Sequence, residues 1–312
     1  MIYNYKSIDI PTYINSLYKD GLVKSEKFTD EYISEFINQV GIFKFKGYVK
    51  AFRGRLSDYS IDDIIYLYNF DRDLSISIFK MIAKIEIKLK TFFIESVYKL
   101  TDNPFCYLIA NNHKKEFQLS NDSLYSWEIK ENKKQLRQEL YSHYRDYYLK
   151  KYNFKENKKN YLEEKTLIQL DFKRDINYPP LHYFIESATL GAIINLVSNM
   201  QINDNELLKL VANKFGIYNS EVFLSYLLRL KELRNRCAHN GRLFNRNYRS
   251  MKAIGIHKKI RKKIFDHRLL DVYYTLYFLL ENKDNINSFE KLKDEFIDKN
   301  FINDNKKCKS LF

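Results

Sequence analysis

Apolar residues recur at three- and four-residue intervals along most of this chain, and little interrupts them: its 312 residues include only 8 Gly and 4 Pro. That spacing returns side chains to one face of a helix with about 3.6 residues per turn. We find no convincing strand-like alternation and no internal repeat. The expected fold is all-α. Phe28, Tyr32, Phe36, Ile37 and Val40 predict one helix, stopped by Gly41. Ile78, Ile82, Ile85, Leu89, Phe92 and Val97 predict a long amphipathic helix ending near Asp102, Asn103 and Pro104. Pro180 is expected at a first helical position, opening a segment through Phe184, Ala188 and Ile193. Val222, Tyr226, Leu230, Leu233 and Cys237 line one face of a further helix, and an apolar segment starting at Asp266 or His267 runs through Leu269, Val272, Leu276 and Leu280.

Three stretches differ in composition. Residues 1–110 and 176–312 carry the apolar periodicity. Residues 111–175 are polar and rich in Lys, Glu and Tyr, and read as an insertion or solvated helical arm, helical over 135–148. All three are read as parts of one compact unit. After Asn282 the tail is charged, with one short helix expected at 288–299. The N-terminus has no apolar leader region, and no apolar run approaches the length needed to span a bilayer, so we expect a cytoplasmic protein without a membrane partner. Three cysteines, Cys106, Cys237 and Cys308, have no metal-site spacing, and their odd number argues against a disulfide framework.

Charge is unevenly placed. The net charge is +14, and residues 233–265 contain eleven Lys and Arg with no Asp or Glu. A basic chain favours an anionic partner. Its 26 Tyr and 23 Phe offer rings on which bases can stack. A low-GC genome also raises Lys, Asn, Ile, Tyr and Phe, but it does not explain the clustering of charge after residue 233. The clustered segment opens with Leu233-Arg234-Asn235-Arg236-Cys237-Ala238-His239-Asn240-Gly241-Arg242-Leu243-Phe244-Asn245-Arg246. Arg is a permanent, fork-shaped cation suited to phosphate, and His exchanges protons near neutral pH. The candidate RNA-binding residues are Arg236, Arg242, Arg246, Arg249, Lys258, Lys259, Arg261, Lys262 and Lys263. Cys237 falls on the apolar stripe and reads as an inert core thiol. His182 and Glu186, four apart, lack a third ligand, so no metal site and no cofactor is expected.

Four ordered blocks give the chain its resemblance to a known family. They are Lys19-Asp20-Gly21-Leu22 with Phe45-Lys46-Gly47-Tyr48; Leu67-Tyr68-Asn69-Phe70-Asp71-Arg72-Asp73-Leu74 with Ile85-Glu86-Ile87-Lys88-Leu89-Lys90; Tyr178-Pro179-Pro180 through Glu186 and Gly191; and Arg234-Asn235 to Ala238-His239 with Arg242-Leu243-Phe244-Asn245-Arg246. Over roughly residues 13–280 the chain resembles the bacterial abortive-infection proteins of the AbiD and AbiF type, which are placed in the HEPN superfamily of helical-bundle nucleases. Lys90 stands where that family usually has Arg, His182 where it usually has Trp, and Phe244 where Trp is common. These departures lie outside the Arg/His pair and bear on packing and partner choice.

The resemblance implies a HEPN-type bundle with additional N-terminal helices. It also implies metal-independent RNA cleavage in antiphage defence, with Arg234, His239 and Asn235 as candidate catalytic residues. A bound small structured noncoding RNA, toxin-like control by an inhibitor and a homodimer with a shared cleft are further implications. Five residues of regular helix turn through about 500°, leaving Arg234 and His239 roughly 140° apart. Asn240-Gly241 is a helix-stop signal that would put His239 in the last turn. Two bland readings stay open: Arg234 pairs with a buried carboxylate such as Glu86, and His239 caps carbonyls at the helix end while Asn235 holds the following turn. The rival function is a non-catalytic module that grips structured RNA.

Overall fold

The structure, a computed structural model, describes residues 8–114, 180–244, 246–248 and 269–280. The described chain is all-α apart from one pair of two-residue strands. The expectations for residues 115–175, for the start of the last helix at Asp266 or His267, and for the tail after residue 282 lie outside the described residues. Two compact units are formed. One contains the described residues of Met1–Ile78 and Arg236–Arg246, the other those of Phe79–Asn235 and Asn247–Phe289.

In the first unit, α1 (Ile10–Lys19) starts where Asp9 accepts the Thr12 N–H at 2.8 Å, with Pro11 in the first turn. It buries Tyr13, Ile14 and Leu17. Helix α2 (Asp30–Val40) is capped by Thr29 and carries Asp30 and Glu31 in its first turn, where the helix dipole favours acidic groups. It stops at Gly41, whose φ of 86° is a conformation glycine adopts without strain. The buried pair is Ile33 and Ile37. Tyr32 is exposed and Phe28, just before the cap, stacks on it at 4.6 Å. The aromatic spacing thus marked the helix but not its inward face; a shift of one position turns a helix by about 100°. Helix α3 (Ile42–Val49) follows and buries Phe45, Tyr48 and Val49.

Helix α4 (Ile61–Tyr98) is 38 residues long and contributes to both units. It begins well before Ile78, where the periodicity first became clear. Ser60 and Asp63 cap it reciprocally: the Ser60 N–H donates to the Asp63 carboxylate at 2.8 Å, and the Asp63 N–H donates to Ser60 Oγ at 3.4 Å. Its early buried face reads Ile61, Ile64, Ile65, Leu67, Phe70, Asp71, Leu74 and Ser75. The two polar members, Asp71 and Ser75, obscure the stripe. Farther along, Phe93 is fully buried and Phe92 half-buried, and the helix ends at Tyr98 rather than near Asp102.

In the second unit, Pro180 is the N-cap of α5 (Leu181–Ser187) rather than its first residue. The segment expected to continue to Ile193 breaks at Ala188. Thr189 then caps α6 (Leu190–Asn199) by accepting the Ala192 N–H at 3.2 Å. Strands β1 (Gln201–Ile202) and β2 (Asn205–Glu206) form a hairpin turned by Asn203 and Asp204, both at positive φ. Strands of two residues are too short to show alternation. Helix α7 (Leu207–Lys214) packs on α6. Helix α8 (Ser220–Ala238) starts under Asn219, whose Oδ1 accepts the N–H groups of Glu221 and Val222. Val222, Tyr226, Leu230, Leu233 and Cys237 are all buried, as their spacing predicted. Lys88 donates to the Leu279 and Leu280 carbonyls of α9 (Leu269–Leu280), at 3.3 Å each. Among the described residues no helix is long and apolar enough to cross a membrane.

Candidate functional site

Helix α8 stops because of the two residues after His239. His239 is the first residue beyond the helix, and Asn240 takes a left-handed φ of 51°. The Gly241 N–H donates to the Arg236 carbonyl at 2.7 Å, and the Asn240 N–H to the Cys237 carbonyl at 3.1 Å. This is a Schellman cap with Asn in the left-handed place. A side-chain carbon at Gly241 would lie 3.2 Å from the Arg236 carbonyl oxygen, so the tight closure favours glycine there.

The turn is held by α4 residues more than a hundred positions earlier in the chain. Arg72 donates from Nη1 to Asn240 Oδ1 at 2.9 Å and from Nη2 to the Gly241 carbonyl at 3.1 Å. Its neighbour Asp71 is completely buried. Asp71 accepts the N–H groups of Leu243 and Phe244, the latter at 2.8 Å, and the Tyr48 hydroxyl at 2.6 Å. Burial, then the Asp71 carboxylate, push the Tyr48 phenol well above its ordinary range, which keeps it a proton donor. Arg242 lies over the Tyr48 ring and donates to the Gly47 carbonyl. Lys44 is nearby: burial, then the Arg72 charge, hold its ammonium pKa below the usual value, with Asp71 partly offsetting them.

His239 is exposed, and among the described residues its side chain makes no hydrogen bond. Backbone N–H groups take the Arg236 and Cys237 carbonyls, and the imidazole caps no carbonyl among the described residues, which does not support the reading of His239 as a capping side chain. Arg234 is half-buried on α8 and makes no ion pair with Glu86; that carboxylate instead faces Lys90 at 3.8 Å. Asn235 is exposed, and among the described residues its side chain holds no turn. Arg236 and Arg242 are half-buried, and Arg246 is exposed. Arg249, Lys258, Lys259, Arg261, Lys262 and Lys263 lie outside the described residues. Cys237 is buried and bonded to Ser75; burial raises its thiol pKa, opposed by that hydrogen bond and the Arg72 charge, as expected of an inert thiol.

The three departures from the family pattern have structural partners. Lys90 donates to the Glu186 carbonyl at 3.3 Å, His182 Nδ1 lies 2.9 Å from the Tyr98 hydroxyl, and Phe244 is buried. Among the described residues no group of His, Cys, Asp and Glu is arranged to hold a metal. Gly47, Tyr48, Asp71 and Arg72 stand in the sequence only as parts of the blocks that carry the resemblance, with no role assigned to them. The available signal was Asp71 itself, a carboxylate on the apolar stripe of a helix, which requires buried donors.

No curated protein and no solved structure matches the chain. A family model does: residues 35–245, more than half of the chain, match the family described as Abi-like protein. The matched span holds Tyr48, Asp71, Arg72 and the 234–244 motif, and stops before Arg246 and the basic tract. By this match the chain belongs to the Abi-like protein family.

Proposed function

We propose that this abortive-infection protein is an endoribonuclease of the HEPN type, with His239 and Arg234 as its catalytic pair. One observation carries the reading. His239 is exposed at a helix end closed by backbone hydrogen bonds, its side chain makes no hydrogen bond among the described residues, and it stands beside a turn anchored to α4. A histidine kept exposed at a fixed backbone position is available for proton transfer.

The chemistry is an internal transesterification. An RNA 2′-hydroxyl loses its proton and attacks the adjacent phosphorus, and the bond from phosphorus to the 5′-oxygen breaks as that oxygen gains a proton. His239 serves one of these proton transfers. Arg234 stabilises the charge growing on the phosphoryl oxygens. The products are a 2′,3′-cyclic phosphate and a 5′-hydroxyl, and the reaction as written requires no metal. A second copy of the chain completes the site in this proposal, because continuing the helix to His239 at regular geometry would leave the two side chains roughly 140° apart. Arg236, Arg242 and Arg246, with the tract Arg249, Lys258, Lys259, Arg261, Lys262 and Lys263, grip phosphates, and a small structured noncoding RNA is the proposed resident partner.

The test is cleavage of total RNA in EDTA by the purified protein after any co-purifying RNA is stripped away, with the product ends analysed. Cyclic phosphate ends, lost in His239→Ala and Arg234→Ala variants that keep the wild-type melting temperature and RNA affinity, support the proposal. Proton transfer and charge stabilisation each contribute about 10²–10⁴-fold, so either loss is easily measured. Tight binding of an intact RNA without cleavage would make the chain an RNA-holding module instead.

A further inference from the structure

We infer that Arg72 is the positioning residue for His239: its guanidinium fork fixes the turn that aims the imidazole. The inference rests on the catalytic reading of His239 but concerns a residue that this reading leaves without a role. Asp71 and Arg72, consecutive on α4, together hold residues 240, 241, 243 and 244, four of the five residues that follow His239. On the other side His239 is tied to the helix, where Cys237 is buried against Ser75. The backbone is therefore fixed on both sides of the imidazole.

Arg72 is poorly placed for stability alone. It is largely buried, its Nε has no hydrogen-bond partner among the described residues, and it stands close enough to Lys44 to depress that ammonium. Asp71, its carboxylate neighbour, is 3.8 Å away and turned to other donors. A mostly buried cation with a like-charged neighbour does little through its charge alone to stabilise a fold. What the planar fork supplies is geometry: two parallel N–H groups that grip a side-chain oxygen and a carbonyl on successive residues, which an ammonium on a flexible stem cannot reproduce.

The test pairs a spectroscopic readout with kinetics. The His239 imidazole is followed by NMR in protein carrying ¹³C-labelled histidine, its signal assigned by its loss in His239→Ala. Arg72→Met is expected to shift and broaden that signal and to lower kcat by about 10²-fold, with the KM for RNA unchanged, since a displacement near 1 Å costs that much. Asn240→Gly keeps the left-handed backbone and deletes only the Oδ1 acceptor. It should move the signal in the same direction and lower kcat several-fold, and it keeps the question open to test if Arg72→Met fails to fold. Combining the two should cost no more than Arg72→Met alone, because both act through one contact. Arg72→Lys should stay impaired.

A folded Arg72→Met protein with an unmoved His239 signal would overturn the inference, as would full activity in Arg72→Lys. The NMR result does not depend on turnover. If the signal moves but wild-type protein never cuts RNA, the positioning stands and the nuclease reading fails; if wild type cuts and neither variant changes signal or rate, the positioning fails alone.

Discussion

The Asp71 carboxylate accepts the backbone N–H of Phe244 at 2.8 Å, joining positions 173 residues apart. The same carboxylate takes the Leu243 N–H and the Tyr48 hydroxyl, so three buried donors converge on one side chain. Three of the four sequence blocks that carry the family resemblance meet at this point. Their shared task is to dock the segment after the helix end against α3 and α4.

Asp71→Ala should therefore be among the most destabilising single changes in this unit. It leaves a phenol and two backbone N–H groups buried without an acceptor and removes the nearest carboxylate from Arg72. We expect a loss of about 3–5 kcal/mol, the usual result of removing one partner from a buried charged network. Asp71→Asn keeps the shape and one acceptor and should cost less. Urea denaturation with an unchanged m-value measures both; a loss below about 1 kcal/mol for Asp71→Ala would contradict the network.

The Schellman cap makes a contrasting prediction. Asn240 sits at φ 51°, where most side chains are strained. Asn240→Ala should cost about 1–2 kcal/mol through that strain and the lost Arg72 bond. Asn240→Gly loses the same Arg72 bond but relieves the strain, and should therefore cost clearly less than Asn240→Ala. Equal destabilisation by the two would show that the backbone conformation is not what Asn240 supplies.

These contacts also show how far the sequence could be read. Helices with unbroken apolar stripes, such as the one carrying Val222 through Cys237, were legible because burial and periodicity coincide there. The first half of α4 was harder because Asp71 and Ser75 occupy buried positions, and their partners lie far along the chain. The break at Ala188 was hidden because Thr189, a good cap, falls within an apolar run. In the candidate site, His239 and the helix stop were readable from the local order of residues. The docking of that stop by Arg72 was not, since no local pattern pairs an arginine with a turn more than 160 positions away.

Cys237 supplies a chemical prediction. Its thiol is buried, bonded to Ser75 and raised in pKa chiefly by burial. Cys237→Ala should retain RNA cleavage within a few-fold per folded molecule, because a protonated core thiol is a poor nucleophile. A thiol-specific reagent should reach Cys237 only when denaturant opens the fold, followed by mass spectrometry of the labelled peptide. Rapid labelling of the native protein, or complete loss of activity in a stably folded Cys237→Ala variant, would return the cysteine to the candidate site.

His113 should make the stability of the fold sensitive to acid. It is buried, and its Nε2 lies 2.9 Å from the Tyr107 carbonyl oxygen, where the neutral ring can donate. Burial, only partly offset by that hydrogen bond, pushes its pKa down to about 4. An unfolded histidine titrates near pH 6.5. Between those values the unfolded chain binds a proton that the folded chain excludes, so stability is full above about pH 6.5 and falls as pH drops towards 4. The slope is about 1.4 kcal/mol per pH unit, for a total on the order of 3 kcal/mol. His113→Gln keeps a donor for the Tyr107 carbonyl but does not titrate. Carboxylates elsewhere affect both proteins alike, so the informative quantity is the stability difference between wild type and His113→Gln at pH 7, 5.5 and 4.5. Wild type should lose ground to the variant steadily across that window. A difference that stays constant with pH would mean His113 carries the same charge in the folded and unfolded chains.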